Sequence, residues 1–349
     1  MRILFLCLST LKFDVDTPAH EPLGGTESAI AYLAVEMVRL GHDVTLMSQM
    51  EEKVLRGVKH VPVSEDLAPL NPDVVIVASA PQAVPAIRKI VPDAKVILWN
   101  HMRPDQPAMQ PLLNDKAVLE ACEHIVYVSE AQRAVFPTQE GAVVINNAIA
   151  PCFEKMFSSA AEISLTKKCR GAYTSTPYRG LAILSGIQEI EIDVFSSMRV
   201  YQGDDAAFQA MYDNLKKNDC LSLHGSVSQR TLATALHSVS FLVYPCIFAE
   251  CHSIAILEAM AAGLKVVTTE QASPQTEFID SMPSKDATVD AYVKLLRKNV
   301  NFFRSRPDEW AEKMWQQVQY INANFTWRKK AQEWDDYLFF LTARLKKTV

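Results

Sequence analysis

The stretch ILFLCLSTLKFDVDTPAHEPLGGTESAIAYLAVEMVRLGHDVTLM, residues 3–47, decides the fold. It opens on an apolar run, Ile3 to Leu8, and closes on another, Val44 to Met47. Between them Ile30, Leu33, Ala34 and Met37 recur at helical spacing and Gly41 supplies a stop, so the pattern predicts a helix crossing over between two strands. Strand, amphipathic helix and strand in that order make a βα unit with parallel strands. Gly24 and Gly25 stand directly before the helix, where paired glycines allow positive φ and close approach of the backbone to a ligand. The plainer reading is a flexible loop with Thr26 as the helix cap. The loop follows the carboxyl end of the first strand, the edge at which α/β sheets bind ligands.

The alternation continues through strand-like runs at Val74 to Ala78, Val96 to Trp99, Ile125 to Val128 and Val143 to Ile145. This sets a first Rossmann-like domain over 1–155. Periodicity lapses from Ile149 to Thr166, around Pro151, Ser158 and Ser159, which reads as a linker. A second α/β domain follows over 166–322. Its expected strands are Gly171 to Thr174, Arg199 to Tyr201, Leu221 to His224, Phe241 to Tyr244 and Lys265 to Thr268, with helices at Asp205 to Lys217 and Ser253 to Ala262. The last sixty or so residues read as helical, with Trp310, Trp315, Trp327 and Trp334 as apolar anchors that must dock on something. A final helix is expected over 323–349.

A chain of 349 residues with 49% apolar content suits two domains. Its 35 basic and 40 acidic side chains are interspersed, with a net charge of −5, which argues against nucleic acid as a partner. The seven cysteines are odd in number and scattered, as suits free thiols, so a cytoplasmic location is expected. MRILFLCLST reads as a buried strand rather than a signal peptide, and no run approaches the roughly 18 apolar residues of a membrane span. Arg88, Lys89, Arg344, Lys346 and Lys347 permit weak attachment to a membrane surface.

The chemistry concentrates in FAECHSIAILEAMAAG, residues 248–263. Ser253 is placed to cap a helix and Gly263 to end it, while Ile254, Ile256, Leu257, Met260 and Ala261 make most of the circumference apolar. Glu258 therefore sits on a buried helix and needs a dedicated partner. One candidate is a pair of ribose hydroxyls, with the free N–H groups near Ser253 and Ile254 suited to a pyrophosphate and Glu250 facing a sugar beyond it. The other is a salt bridge from Glu258 to a neighbouring Lys or Arg, with Glu250 a solvated loop residue. In AYTSTPYRGLAIL, residues 172–184, Arg179 stands at a polar turn before an apolar helix and could neutralise a leaving diphosphate. His101, in VILWNHMRP, directly follows a strand and so sits at the carboxyl edge of the first sheet.

Asp14-Val15-Asp16 matches a D-x-D metal pattern but reads as a loop, and Cys246, Cys251 and His252 lack the spacing of a zinc site. No dinucleotide, P-loop, nucleophile-elbow or zincin motif occurs.

The 248–263 segment resembles the E-x7-E signature of retaining GT-B glycosyltransferases, of the family 4-like, GGTE-loop subset. LGGTESA at 23–29, the strand-end His101, the R-G-L turn at Arg179 and NFTW at 324–327 follow in the same order. The resemblance implies two Rossmann-like domains facing each other across a cleft, with the donor nucleotide on the second. It implies transfer of a sugar from a UDP- or GDP-linked donor to an acceptor hydroxyl, with retention and without a metal or other cofactor. The acceptor would be a glycan, a glycolipid or a small molecule.

By the same resemblance Glu250 contacts donor-sugar hydroxyls, Glu258 the ribose, and Arg179, Ser253 and Ile254 the diphosphate. Gly24 and Gly25 reach towards donor phosphate and sugar, and His101 lies close to the transferred sugar. Two departures stand out: Cys251, His252 and Ser253 replace a Gly-aromatic-Gly sequence, and Ser175, Thr176 and Pro177 stand where a second phosphate-binding Arg is common. Alternatives on the same scaffold are a sugar-nucleotide epimerase, a phosphorolytic enzyme, or a catalytically degenerate sugar-nucleotide-binding protein.

Overall fold

The computed structural model describes residues 1–272, 278–283 and 288–343. It divides into two compact units, the first built from Met1–Pro18, Gly24–Asn147 and the chain from Trp327 onward, the second from Ala19–Leu23 and Ala148–Thr326.

The elements of the amino-terminal half are β1 (Arg2–Leu6), α1 (Thr17–His20), α2 (Gly25–Arg39), β2 (Asp43–Ser48), β3 (Lys53–Leu55), β4 (Val58–Pro62) and β5 (Val74–Ala78). They continue with α3 (Val84–Ile90), β6 (Lys95–Asn100), α4 (Gln110–Asn114), α5 (Lys116–Ala121), β7 (His124–Tyr127), α6 (Glu130–Arg133) and β8 (Ala142–Val144). The eight strands order as β3-β4-β2-β1-β5-β6-β7-β8, all parallel except the β3–β4 hairpin. Ile3 pairs with Val44 on one side and Val74 on the other. Each of Val74 to Val77 is fully buried, because helices cover both faces of a parallel sheet.

Helix α2 ends as the sequence implies. Gly41 has φ +88°, its N–H reaches Val38 O, and His42 N–H reaches Met37 O, which closes the helix with a left-handed glycine. The β3–β4 hairpin turns on Arg56 and Gly57, both at positive φ, the backbone a two-residue hairpin requires. The three residues of β3 carry too little periodicity to be seen in sequence, so this hairpin is an addition to the sequence reading.

The second unit contains α7 (Ala160–Thr166), β9 (Lys168–Tyr173), β10 (Glu191–Val194), α8 (Gln209–Leu215), β11 (Leu221–Leu223), α9 (Gln229–Leu236) and β12 (Val239–Tyr244). It continues with α10 (Ile254–Ala261), β13 (Lys265–Thr269), β14 (Ile279–Met282), α11 (Val289–Ser305) and α12 (Pro307–Asn324); α13 (Trp327–Ala343) belongs to the first unit. The sheet is all parallel, in the order β11-β10-β9-β12-β13-β14.

Three local expectations are corrected. The 149–166 stretch is no loose linker: Ile149, Ala150, Phe153 and Ile163 are buried, and α7 is capped by Ser159. The strand expected at Arg199 to Tyr201 is a 3-10 turn, since Asp205 accepts from Met198 N–H and the Ser197 hydroxyl while Ser197 Oγ accepts from Arg199 N–H. These local bonds satisfy the backbone in place of a ladder, and the strand lies earlier, at β10. The helix expected after Arg179 is a pair of 3-10 turns broken at Gly180, which has φ +101°.

Trp327 and Trp334 of α13 pack around Trp99 of β6, with ring centroids 6.5 and 5.2 Å away, and Tyr32 of α2 stacks on Trp327. Trp310 serves the second unit, against Phe241 and Phe303. No helix among the described residues is long and apolar enough to cross a membrane. Arg344, Lys346 and Lys347, named as surface cations, lie outside the described residues.

Candidate functional site

In the second sheet the chain steps outward from β9 to β10 and β11 on one side, and from β12 to β13 and β14 on the other. Strands β9 and β12 are thus neighbours whose following segments part in opposite directions, and such a switch point is where open parallel sheets admit ligands. Those two segments carry Arg179 and Glu250.

Arg179 Nη1 donates to Glu250 Oε1 at 2.6 Å, and the Tyr244 hydroxyl donates to the same oxygen at 2.6 Å. Ser175 Oγ lies 3.3 Å from that hydroxyl. The guanidinium also stands over the rings of Phe248 and Tyr178, at 4.8 and 5.6 Å. Burial works most strongly against its charge, but the Glu250 carboxylate and the hydroxyls of Tyr244, Tyr201 and Tyr178 together hold Arg179 above its ordinary range. Next to it, a Cβ at Gly180 would lie 2.0 Å from the Pro245 carbonyl oxygen. Only glycine lets the Arg179 turn press so closely on the backbone leading to Glu250. Glu250 is therefore no solvated loop residue: its side chain is 8% exposed and charge-paired.

Ser253 is the N-cap residue of α10 in extended backbone, yet its side chain makes no capping hydrogen bond to the first turn, which begins at Ile254. At the other end Gly263 has φ +69°, with Gly263 N–H to Met260 O and Leu264 N–H to Ala259 O, the paired bonds of a glycine-terminated helix. Glu258 is 3% exposed, and Oε1 accepts from Ala150 N–H at 3.3 Å. Burial pushes its carboxyl up to about 8, against the opposing pull of Ala150 N–H and the Gln229 side chain. No cation contributes to that balance, so the salt bridge considered for Glu258 is not formed among the described residues.

The remaining candidates lie in the first unit. Gly24 is the N-cap of α2 at φ −60°, and Gly25 is already helical, so neither takes the positive φ that paired glycines permit; Thr26 lies inside the first turn and is not the cap. Gly24 has no side chain with which to cap α2. Glu27, in that first turn, is buried; burial raises its carboxyl, while its own N–H and the Ser9 hydroxyl act in the other direction. His101 follows β6, with its ring against Trp99 at 4.5 Å and its N–H donating to Ser79 Oγ at 3.0 Å.

Glu27, Ser79 and Tyr244 escaped the sequence reading. The one visible signal was position, since each lies at a strand's carboxyl end or in the helix turn beside it. Asp14 and Asp16 are ion-paired with Lys53 and Arg56, and no cluster of three metal-ligating side chains occurs among the described residues. A separate cavity of about 300 Å³, lined by Arg88, Lys95, Glu123 and His124, opens at the opposite edge of the first sheet, where β6 and β7 begin.

Residues 197–298 match the family described as Glycosyl transferases group 1, a span that includes Glu250, Ser253, Ile254 and Glu258. No curated protein matches the chain. Among solved structures it is similar to a glycosyltransferase from Rickettsia africae ESF-5, with TM-score 0.70, 14% identity and 97% of each chain covered. It is also similar to Anabaena HepE in complex with UDP and glucose, with TM-score 0.68 and 14% identity, covering 97% of this chain and 99% of that one. A third is the alpha,alpha-trehalose 6-phosphate synthase of Burkholderia multivorans, with TM-score 0.71 and 10% identity over 98% and 99%. The chain accordingly has the GT-B fold, and the glycosyl transferases group 1 match within its second unit supports a glycosyltransferase.

Proposed function

We propose that the protein transfers a sugar from a nucleoside-diphosphate sugar to an acceptor hydroxyl with retention of configuration and without a metal, as a cytoplasmic enzyme of glycan, polysaccharide or glycolipid synthesis. The observation that carries this reading is Glu258, a carboxyl group buried on the helix of the matched segment with no cation beside it among the described residues. Such a group destabilises the free protein, and a ligand offering two adjacent hydroxyls repays it. Ribose is that ligand. The start of α10 at Ser253 and Ile254, which the Ser253 side chain does not cap, suits the diphosphate, whose charge Arg179 neutralises as the glycosidic bond breaks.

Glu250 orients the donor sugar. Its pairing with Arg179 and Tyr244, both through Oε1, keeps carboxylate and guanidinium aimed before the donor arrives, which lowers the reorganisation needed during the reaction. In the first unit, His101 contacts the transferred sugar, and Gly24 and Gly25 lead the chain close to donor phosphate and sugar. The departing phosphate oxygen takes the acceptor proton on the face from which the sugar leaves. That HepE was solved with UDP and glucose makes UDP-linked donors the first to test.

The test is a panel of UDP- and GDP-sugars read by thermal shift, followed by transfer from a labelled donor and NMR assignment of the product anomer. A donor at about 100 times its Kd should add about 2.7 kcal/mol of stability. Stabilisation by one nucleotide class and a product with the donor's anomeric configuration are expected. No shift with any nucleotide would overturn the reading, and binding without turnover would favour the degenerate binding protein.

A further inference from the structure

We infer that Gln132 and Ser79 are positioning residues for His101, holding the backbone on both sides of it in one conformation; the catalytic consequence rests on the role proposed for His101. Gln132, on α6, is 1% exposed, and every polar atom of its amide is used. Its Nε2 donates to Asn100 O at 3.0 Å and to Met102 O at 2.8 Å, the two carbonyls that flank His101, while Oε1 accepts from Val128 N–H at 2.8 Å. One side chain thus ties the segment after β6 to the end of β7.

Ser79 acts from the other side. It follows β5 and sits at φ +49°, a left-handed backbone that costs a non-glycine residue on the order of 1 kcal/mol and persists where the surroundings demand it. There its N–H donates to Trp99 O at 2.9 Å, and its Oγ accepts from His101 N–H at 3.0 Å. Asn100 Oδ1 adds a bond from Met102 N–H at 2.8 Å. Trp99, wedged by Trp334, then supports the imidazole face. Residues 99–102 are therefore held by hydrogen bonds to Ser79, after β5, and to the Gln132 side chain on α6, and by ring packing, at the carboxyl edge of the sheet. A surface loop needs no such fixing, whereas a side chain that must meet a substrate within tenths of an ångström does.

The experiment uses the full chain with isotopically labelled histidine. Gln132→Glu keeps the acceptor for Val128 N–H and removes both donors; Ser79→Ala removes the acceptor for His101 N–H. In folded variants, the His101 ring resonance, assigned by its loss in His101→Ala, should broaden or split while the other histidines keep their shifts. An unchanged His101 resonance in both variants overturns the inference, whatever the activity. In turnover, Gln132→Glu should lower kcat by about tenfold or more with little change in donor KM, and should lower it no further when His101 is already Ala. Full additivity in that double variant would also overturn it. If His101→Ala itself leaves kcat unchanged, the catalytic role of His101 fails, and the NMR result still decides the positioning. Should Gln132→Glu not fold, Ser79→Ala carries both measurements.

Discussion

At the residue scale, buried titratable side chains make the stability of the protein depend on pH. Glu258 has its carboxyl raised from 4.5 to about 8, so between those values the folded state holds a proton that the unfolded state has released. Stability therefore falls as pH rises through this window. Glu258→Gln should raise the melting temperature, with a gain that grows from pH 4.5 to 8 and then levels off, on the order of a few kcal/mol. The same variant should weaken nucleotide-sugar binding, a pairing of effects that calorimetry with and without donor would check. His60 is the opposite case: fully buried, with burial lowering its pKa below 6.5 against the pull of Asp14 and Asp16, and neither ring nitrogen bonded among the described residues. Here the unfolded state takes up the proton first, so stability is lost as pH falls below about 6.5. His60→Leu should flatten the acid side of the melting curve; an unchanged slope between pH 5 and 6.5 would contradict this. The need of Glu258 for a partner was legible from an apolar helix with one acid. The plight of His60 was not, because it depends on the short β3–β4 hairpin pairing beneath the 14–16 loop.

At the element scale, helix ends show which signals sequence can carry. Gly41 and Gly263 were readable because a left-handed residue after a helix is almost always glycine. The lysine closing α10 was not readable. Lys167 is buried, its Nζ donates to the carbonyls of Leu236, the last residue of α9, and Ala262, just beyond α10, and burial drives its pKa well down. Nothing about a lysine ninety-five residues before Ala262 announces that bond, since long-range contacts leave no periodicity. Lys167→Met keeps the apolar stem but strands two carbonyls, and should cost about 2–4 kcal/mol in urea unfolding. Donor affinity should also fall, since α10 carries Glu258. The turn at Gly180 is a similar case: an R-G-L pattern marked a turn, but the clash that excludes any Cβ comes from Pro245, on a different strand's loop.

At the scale of the whole molecule, the chain's last helix completes its first unit. Trp327 and Trp334 bury fully around Trp99, so Trp334→Ala should cost about 3–5 kcal/mol. Ending the chain after Thr326 should expose residues 1–147 to proteolysis while the segment around α10 to α12 keeps its protection. Equal loss in both units would contradict that division. The sequence by itself determined the parallel α/β character, the strand runs around Ile3, Val74 and Val243, and the acids and arginine of the candidate site, because hydrophobic period, glycine punctuation and a lone acid in an apolar helix are local properties. Only the tertiary structure decided that Arg179, Tyr244 and Glu250 converge, that Glu258 has no cation beside it among the described residues, and that Ser79 and Gln132 clamp the backbone around His101. Those facts depend on which strand ends become neighbours, and sheet order is set by packing between residues far apart in the chain.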